Sequence, residues 1–279
     1  MTIGTSGSNR YPVPFLALGP FLLITFGLAW GIFALFILIP EPIVAIFGEL
    51  SGRHPLFILA VYAPAIAAFI VVIRHGGLGG WRRYLSRLWR WRCPPAWYGF
   101  LILGIPLLFS GGAAIKGTLF GPFPFDSLQA LILALAVTLV IGPIEEFGWR
   151  GVALPLLQRR FAPIWAGLIL GLIWGFWHLP AFLASGTPQN AWSFTPFLVG
   201  SVAVSVIVTP LFNASRGSIL LPLLFHFQLN NPLWPDAQPY DTLFFVAAAA
   251  GVVWVNRKTM FRRSQAVTTV IPPPCSQKV

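Results

Sequence analysis

The sequence predicts an all-α, polytopic membrane protein of about eight transmembrane helices, and three observations carry that prediction. Hydrophobic residues make up 57% of the 279 positions and charged residues only 9%, against roughly 25% charged in a soluble domain. So few charges cannot cover a water-facing surface. The apolar residues fall in runs near the ~20 residues that cross a bilayer as a helix. The basic residues gather in every second connection between those runs, as the positive-inside rule requires.

Residues 1–14 read as a tail. The first run, Phe15–Ile39, is too long for a signal-peptide core and lacks a small-residue cleavage site, so it is expected to be a retained anchor. The next spans are Leu56–Ile73, Trp97–Ala114, Leu128–Ile144, Ile164–Leu183 and Phe194–Phe212. Ser218–Asn231 is short and needs flanking residues to cross, and Thr242–Val255 closes the set. Residues 15–256 thus form one helical bundle, in which Gly and Pro are tolerated as in other membrane helices. The polar, basic stretch 257–279 is expected to be a disordered tail. Between the second and third spans, Trp81 to Arg92 (WRRYLSRLWRWR) reads as a basic, aromatic helix on the membrane surface.

With the N-terminus in the cytoplasm, alternation leaves only Arg53 and Lys116 of the 18 Lys and Arg residues outside. Arg10, Arg150, Arg216 and Lys278 fall inside, as do the groups at 74–92, 159–160 and 257–263. Both termini are therefore expected in the cytoplasm, with the chain in the plasma membrane. The net charge of +11 is accounted for by membrane lipids as partners, and nucleic acid is not expected. Cys93 and Cys275 have neither disulfide nor metal spacing, and Cys275 stands one place too early for a lipidation box.

Five of the seven acids, Glu41, Glu49, Asp126, Asp236 and Asp241, fall in outside loops. Glu145 and Glu146 do not. A carboxylate in the bilayer costs about 2.5–3.5 kcal/mol on insertion scales and is a functional candidate for that reason. Glu146 and Arg150 are four apart and can pair on one helix face, while Glu145 lies about 100° further round. Alone, that pair could simply cap a helix end. His178 lies in an aromatic span, and His226 and Asn230 are again four apart. Each could be an ordinary interhelical hydrogen-bonder. Geometry links them: Arg159–Pro163 reads as a turn, with Glu145 sixteen residues before Phe161 and His178 seventeen after it. Two antiparallel arms then bring carboxylate and imidazole to similar depth.

Such a set suits hydrolysis. A desolvated Glu can act as general base with a His holding the water, and a second His with an Asn can donate to an oxyanion. No cysteine or Gly-x-Ser-x-Gly nucleophile accompanies it, and the His-Glu-x-x-His zinc pattern is missing. Two His and a Glu (Glu145, His178 and His226) could still bind zinc, with water in the fourth position.

The three motifs, Glu145-Glu-x-x-x-Arg150, Trp174-Gly-Phe-Trp-His178-Leu-Pro and His226-Phe-Gln-Leu-Asn230, resemble those of the CPBP family, the CAAX proteases and bacteriocin-processing enzymes also called the abortive-infection family. The resemblance covers about residues 82–231. It implies an eight-span intramembrane endopeptidase, a metalloprotease or a metal-free glutamate protease. In it Glu145 and His178 activate water, Glu146 and Arg150 support them, and His226 and Asn230 form the oxyanion site. The implied substrate is a peptide or lipidated protein, prenylated CaaX tails included, with cleavage opening towards the cytoplasm. One position departs: Trp174 stands where the family usually has Phe. Two other readings fit the same residues, a non-catalytic scaffold or immunity protein of that family and an ion- or proton-coupled transporter. No internal repeat of the transporter kind is evident.

Overall fold

Every apolar run of the sequence is a helix in the computed structural model, which describes residues 12–274; Arg10, Cys275 and Lys278 lie outside the described residues. Six helices are long and apolar enough to span a membrane: α1 (Phe15–Leu38), α2 (Pro55–Trp89), α3 (Pro95–Lys116), α4 (Leu128–Gln158), α5 (Pro163–Leu183) and α6 (Phe194–Ala214). Two shorter apolar helices follow, α7 (Leu220–Leu229) and α8 (Asp241–Val255). No strand occurs among the described residues. The protein is an all-α polytopic membrane protein. Of the eight expected spans, α7 is the shortest, and its ten residues cover only about 15 Å of a ~30 Å hydrocarbon core.

The helices pack through faces written into their sequences. On α1, Phe21, Thr25, Ala29, Ile32, Phe33 and Phe36 recur at three- and four-residue intervals and are buried together. They meet α2, where Ala60, Ala63, Ala67 and Ala68 are buried and small side chains let the backbones approach closely. Phe33 and Phe57 make an edge-to-face contact at 6.1 Å. α2 then bends at Gly77, whose φ of 58° suits only a residue without a Cβ.

That bend redirects the segment expected to lie on the membrane surface. Trp89 and Trp91 are exposed, but Tyr84 and Arg87 are buried. Arg87 donates to the carbonyls of Gly217 (2.7 Å), Gly151 (2.7 Å) and Val270 (3.0 Å). The basic helix is therefore half surface and half strut. Arg150, counted among the cytoplasmic loop charges from sequence, is likewise buried in the bundle.

α4 has two unlike arms. Leu128–Val140 buries no residue, whereas every residue from 145 to 158 is buried. The expected single span Leu128–Ile144 in fact stops at Val140. Ile141 is extended, Gly142 takes φ 88°, and Pro143–Glu145 forms a 3-10 turn. Pro143 has no N–H to continue the ladder. The second arm runs through the centre of the bundle, and a π-helical turn at Trp149–Ala153 follows the two glutamates, a feature often found at functional sites. At Gly148 an added Cβ would stand 2.5 Å from Pro64 Cβ, so α2 and α4 touch there backbone to backbone.

The C-terminal stretch is not the loose tail the sequence suggested, as far as residue 274. Arg257–Met260 is helical, and Val270 and Ile271 are buried. Gln158 Nε2 donates to the Val267 carbonyl at 2.8 Å, Arg83 Nε to that of Pro272 at 3.0 Å, and Arg159 Nε to that of Thr268 at 2.9 Å. Apolar Val and Ile in an otherwise polar run were the signal for this docking, and they were outweighed by the surrounding charge.

Candidate active site

The break at Gly142 decides where the two glutamates point. Glu145 and Glu146 lie at the start of the buried arm and are 3% and 2% exposed. Being consecutive, they face different ways. Glu146 Oε1 accepts from Arg150 Nη1 at 2.8 Å and from His226 Nδ1 at 2.9 Å. The Arg150 guanidinium also sits over the Trp174 ring, 4.9 Å from its centre. Arg150 brings a charge that compensates Glu146 in surroundings where an isolated carboxylate would be very costly.

Glu145 is held differently. Its Oε2 accepts from two indoles, Trp149 Nε1 at 3.2 Å and Trp174 Nε1 at 2.9 Å. Neither tryptophan was singled out as functional from sequence. Trp149 sits four residues after Glu145, a spacing that places the two on one face and could have been read. Trp174 comes from α5, and its reach to Glu145 depends on packing. Its place in the motif usually belongs to Phe, which has no N–H to offer.

His178 stands where α5 falters. The helix Pro163–Trp177 ends there and a short helix Leu179–Leu183 follows. Pro180 cannot donate to the preceding turn, and the His178 N–H bonds the Gly175 carbonyl three residues back at 3.2 Å. The Trp174 carbonyl then accepts from the ring, with Nδ1 at 2.8 Å. A carbonyl only accepts, so Nδ1 carries the proton and Nε2 is left as an acceptor. The ring is clasped by Trp177 and Phe197, with centroids at 4.8 and 5.0 Å.

His226 and Asn230 share one face of α7. Nδ1 of His226 is committed to Glu146, and its ring packs edge-on against Trp174 at 5.6 Å. Asn230 caps the helix, and its side chain reaches the Gly142 break: a Cβ on Gly142 would collide with Asn230 Nδ2 and stand 3.4 Å from His226 Nε2. Only glycine lets the chain pass there.

Glu145, His178, His226 and Asn230 all line one cavity of about 580 Å³. The structure therefore brings together the four residues expected to carry chemistry and sets Glu146 and Arg150 behind them, touching His226 and Trp174. The cavity extends to Gly52, Gln189, Trp192, Trp234 and Asp236, on the loops at the end of the bundle away from the basic segments. A zinc site is not assembled. Among the described residues no group of three or more His, Cys, Asp or Glu is arranged to hold a metal. Glu145 has one oxygen taken by two indoles, and both histidines spend Nδ1 on protein partners. The expected ligand set Glu145, His178 and His226 is thus not gathered as a metal group among the described residues, although these bonds leave Nε2 of each histidine and one oxygen of Glu145 unengaged.

The chain is an all-helical membrane bundle with paired glutamates, two histidines and an asparagine around one interior cavity, and its similarities point to CAAX protease-like proteins. The family model for type II CAAX prenyl endopeptidase Rce1-like proteins matches residues 127–231, from the start of α4 to the end of α7. The chain is also 26% identical over 174 residues to CAAX prenyl protease 2 of Methanococcus maripaludis, a match covering 58% of this chain and 62% of the relative. These matches support a CAAX protease-like family for the chain. The match spans less than two thirds of that relative's length.

Proposed function

We propose that the protein is an intramembrane endopeptidase that hydrolyses a peptide bond in a membrane-associated substrate. The observation that carries this reading is the convergence of Glu145, His178, His226 and Asn230 on one cavity. Water held there meets two acceptors, the free oxygen of Glu145 and Nε2 of His178. With its two hydrogens so directed, its lone pair faces a substrate carbonyl. Glu145 takes a proton as the water oxygen bonds to the carbonyl carbon, and Glu145 or His178 returns one to the leaving amine as the C–N bond breaks. The oxyanion accepts from Asn230 Nδ2 and from His226 Nε2. His226 donates there when its ring carries both protons, a charge that Glu146 on Nδ1 offsets. Trp149 and Trp174 fix the rotamer of the base, and Glu146 with Arg150 fixes His226.

The substrate follows from the surroundings: a mostly apolar cavity within a helical bundle favours a peptide next to a membrane-anchored end. The relative's name makes a prenylated CaaX peptide the first probe. Both termini are assigned to the cytoplasmic face of the plasma membrane, on the strength of the basic segments. The test is peptidase activity of the detergent-purified protein on a prenylated CaaX peptide and its unprenylated counterpart, beside Glu145→Ala. Cleavage by the wild-type protein that is lost in the variant supports the enzyme and its base. Equal cleavage by both proteins removes Glu145 from that role.

A further inference from the structure

A second cavity, of about 830 Å³, lies apart from the one that holds the glutamates and is lined by residues 89–93 and 214–216. Four membrane helices have an end beside it. α2 ends at Trp89, α3 begins at Pro95, α6 ends at Ala214 and α7 begins at Leu220. The cavity therefore sits where membrane helices stop, at the level of the lipid headgroups. Trp89 and Trp91 line it and are 83% and 58% exposed, as indoles are in the headgroup zone.

Its charge is of one sign. Arg90, Arg92 and Arg216 line the cavity, and no Asp or Glu occurs between Glu49 and Asp126 or between Glu146 and Asp236. None of the three arginines makes an ion pair with a described residue. Arg90 Nη1 donates to the Arg216 carbonyl at 2.6 Å, which pins the two connections together. The Arg92 guanidinium lies over the Trp91 ring, 5.5 Å from its centre. Three cations without a counter-charge repel one another, and an anion between them relieves that repulsion.

Arg216 has φ 55°, the only positive value on a non-glycine among the described residues. It follows the end of α6, where glycine is the usual choice because a Cβ is unfavourable in left-handed backbone. Gly217 beside it takes φ 78° without that penalty. The fold thus keeps a strained residue where glycine would serve the backbone better, which points to use of its side chain. We propose that this cavity binds the phosphate of an anionic phospholipid, held by Arg90, Arg92 and Arg216. Guanidinium groups suit that ligand, since their planar fork meets phosphate oxygens through two bonds at once. The helix ends and the exposed indoles favour a lipid over a soluble phosphate, because they set the cavity at the bilayer surface.

Native mass spectrometry of the detergent-purified full chain tests this, with dioleoylphosphatidylglycerol, dioleoylphosphatidylcholine or inorganic phosphate added. Arg216→Gly removes a guanidinium and suits the left-handed backbone, so the fold is kept. Arg92→Gln removes a second cation from an exposed position of the cavity, and Arg262→Gln makes the same change of charge at an exposed position outside it. The wild-type chain is expected to carry phosphatidylglycerol and Arg262→Gln to match it. Arg216→Gly and Arg92→Gln should each bind that lipid roughly tenfold more weakly, while phosphatidylcholine is held alike by every variant. Equal binding of phosphatidylglycerol by all the variants, or an equal loss in Arg262→Gln, would reduce the effect to diffuse charge and overturn the site. Displacement of phosphatidylglycerol by millimolar inorganic phosphate would overturn the lipid as its ligand.

Discussion

Trp174 holds Glu145 and His178 at once: its indole N–H donates to Glu145 Oε2 over 2.9 Å, and its carbonyl accepts from His178 Nδ1 at 2.8 Å. The two groups assigned to the water thus share one rigid support. The donor leaves one carboxylate oxygen free, and the acceptor fixes the imidazole tautomer. The same ring lies under Arg150 and against His226, so all three motifs meet on it.

Trp174→Phe keeps an aromatic ring at this place and removes the N–H together with part of the indole's volume. A hydrogen bond to a charged group contributes about 1.5–3 kcal/mol, and each ~1.4 kcal/mol is tenfold in rate. Turnover is expected to fall roughly tenfold or more, with KM changed far less and the bundle still folded. Steady-state kinetics beside a thermal melt checks this. Unaltered kcat would reduce Trp174 to packing.

Gly142→Ala tests the passage beside the oxyanion pair. Its added Cβ meets Asn230 Nδ2, and φ 88° is unfavourable for alanine. Asn230 must move, so kcat is expected to drop towards that of Asn230→Ala, itself lowered by about 10²–10³ if the amide is an oxyanion donor. The two substitutions combined should cost little more than Asn230→Ala alone. Additive losses in kcat would separate Gly142 from Asn230.

The spans were legible because each is a run of apolar residues long enough to leave no other home, and the site because carboxylates are so rare in such runs. Antiparallel counting from the Arg159–Pro163 turn also put Glu145 and His178 at matching depth. What escaped was whatever depends on partners distant in sequence. The inward turn of Arg87 follows from a bend at Gly77 and from carbonyls on three other segments. The Trp174 donor is invisible until α5 packs on α4. The break at Gly142 reads as a plain Gly-Pro pair until Asn230 is seen beside it. The docking of Val270 and Ile271 needed a receiving surface that no local pattern announces.

Glu146 and Arg150 should behave as one unit. Both are almost wholly buried, and removing one partner leaves the other charge uncompensated, at about 3–5 kcal/mol. Glu146→Gln and Arg150→Met are each expected to lower thermal stability markedly. The double substitution is expected to be less damaging than the sum of the two, which a double-mutant cycle on melting measures. Simple additivity would mean that the pair contributes nothing as a pair.

The docked C-terminal stretch carries the last prediction. Ile271 is 1% exposed and lies beside Gly76 and Gly80 on α2, while the neighbouring Val270 carbonyl accepts from Arg87. Truncating a buried isoleucine costs about 2–5 kcal/mol, depending on how far the site collapses. Ile271→Ala should therefore lower the melting temperature, whereas Gln265→Ala, at an exposed position, should stay within about 0.5 kcal/mol of the parent. Arg87 also donates to the Gly151 carbonyl in the π-helical turn after the glutamates. Loosening the docked stretch should thus reach the active arm, and turnover in Ile271→Ala is expected to fall even well below its melting temperature. Full turnover in a destabilised variant would show that the stretch braces the fold without touching the site.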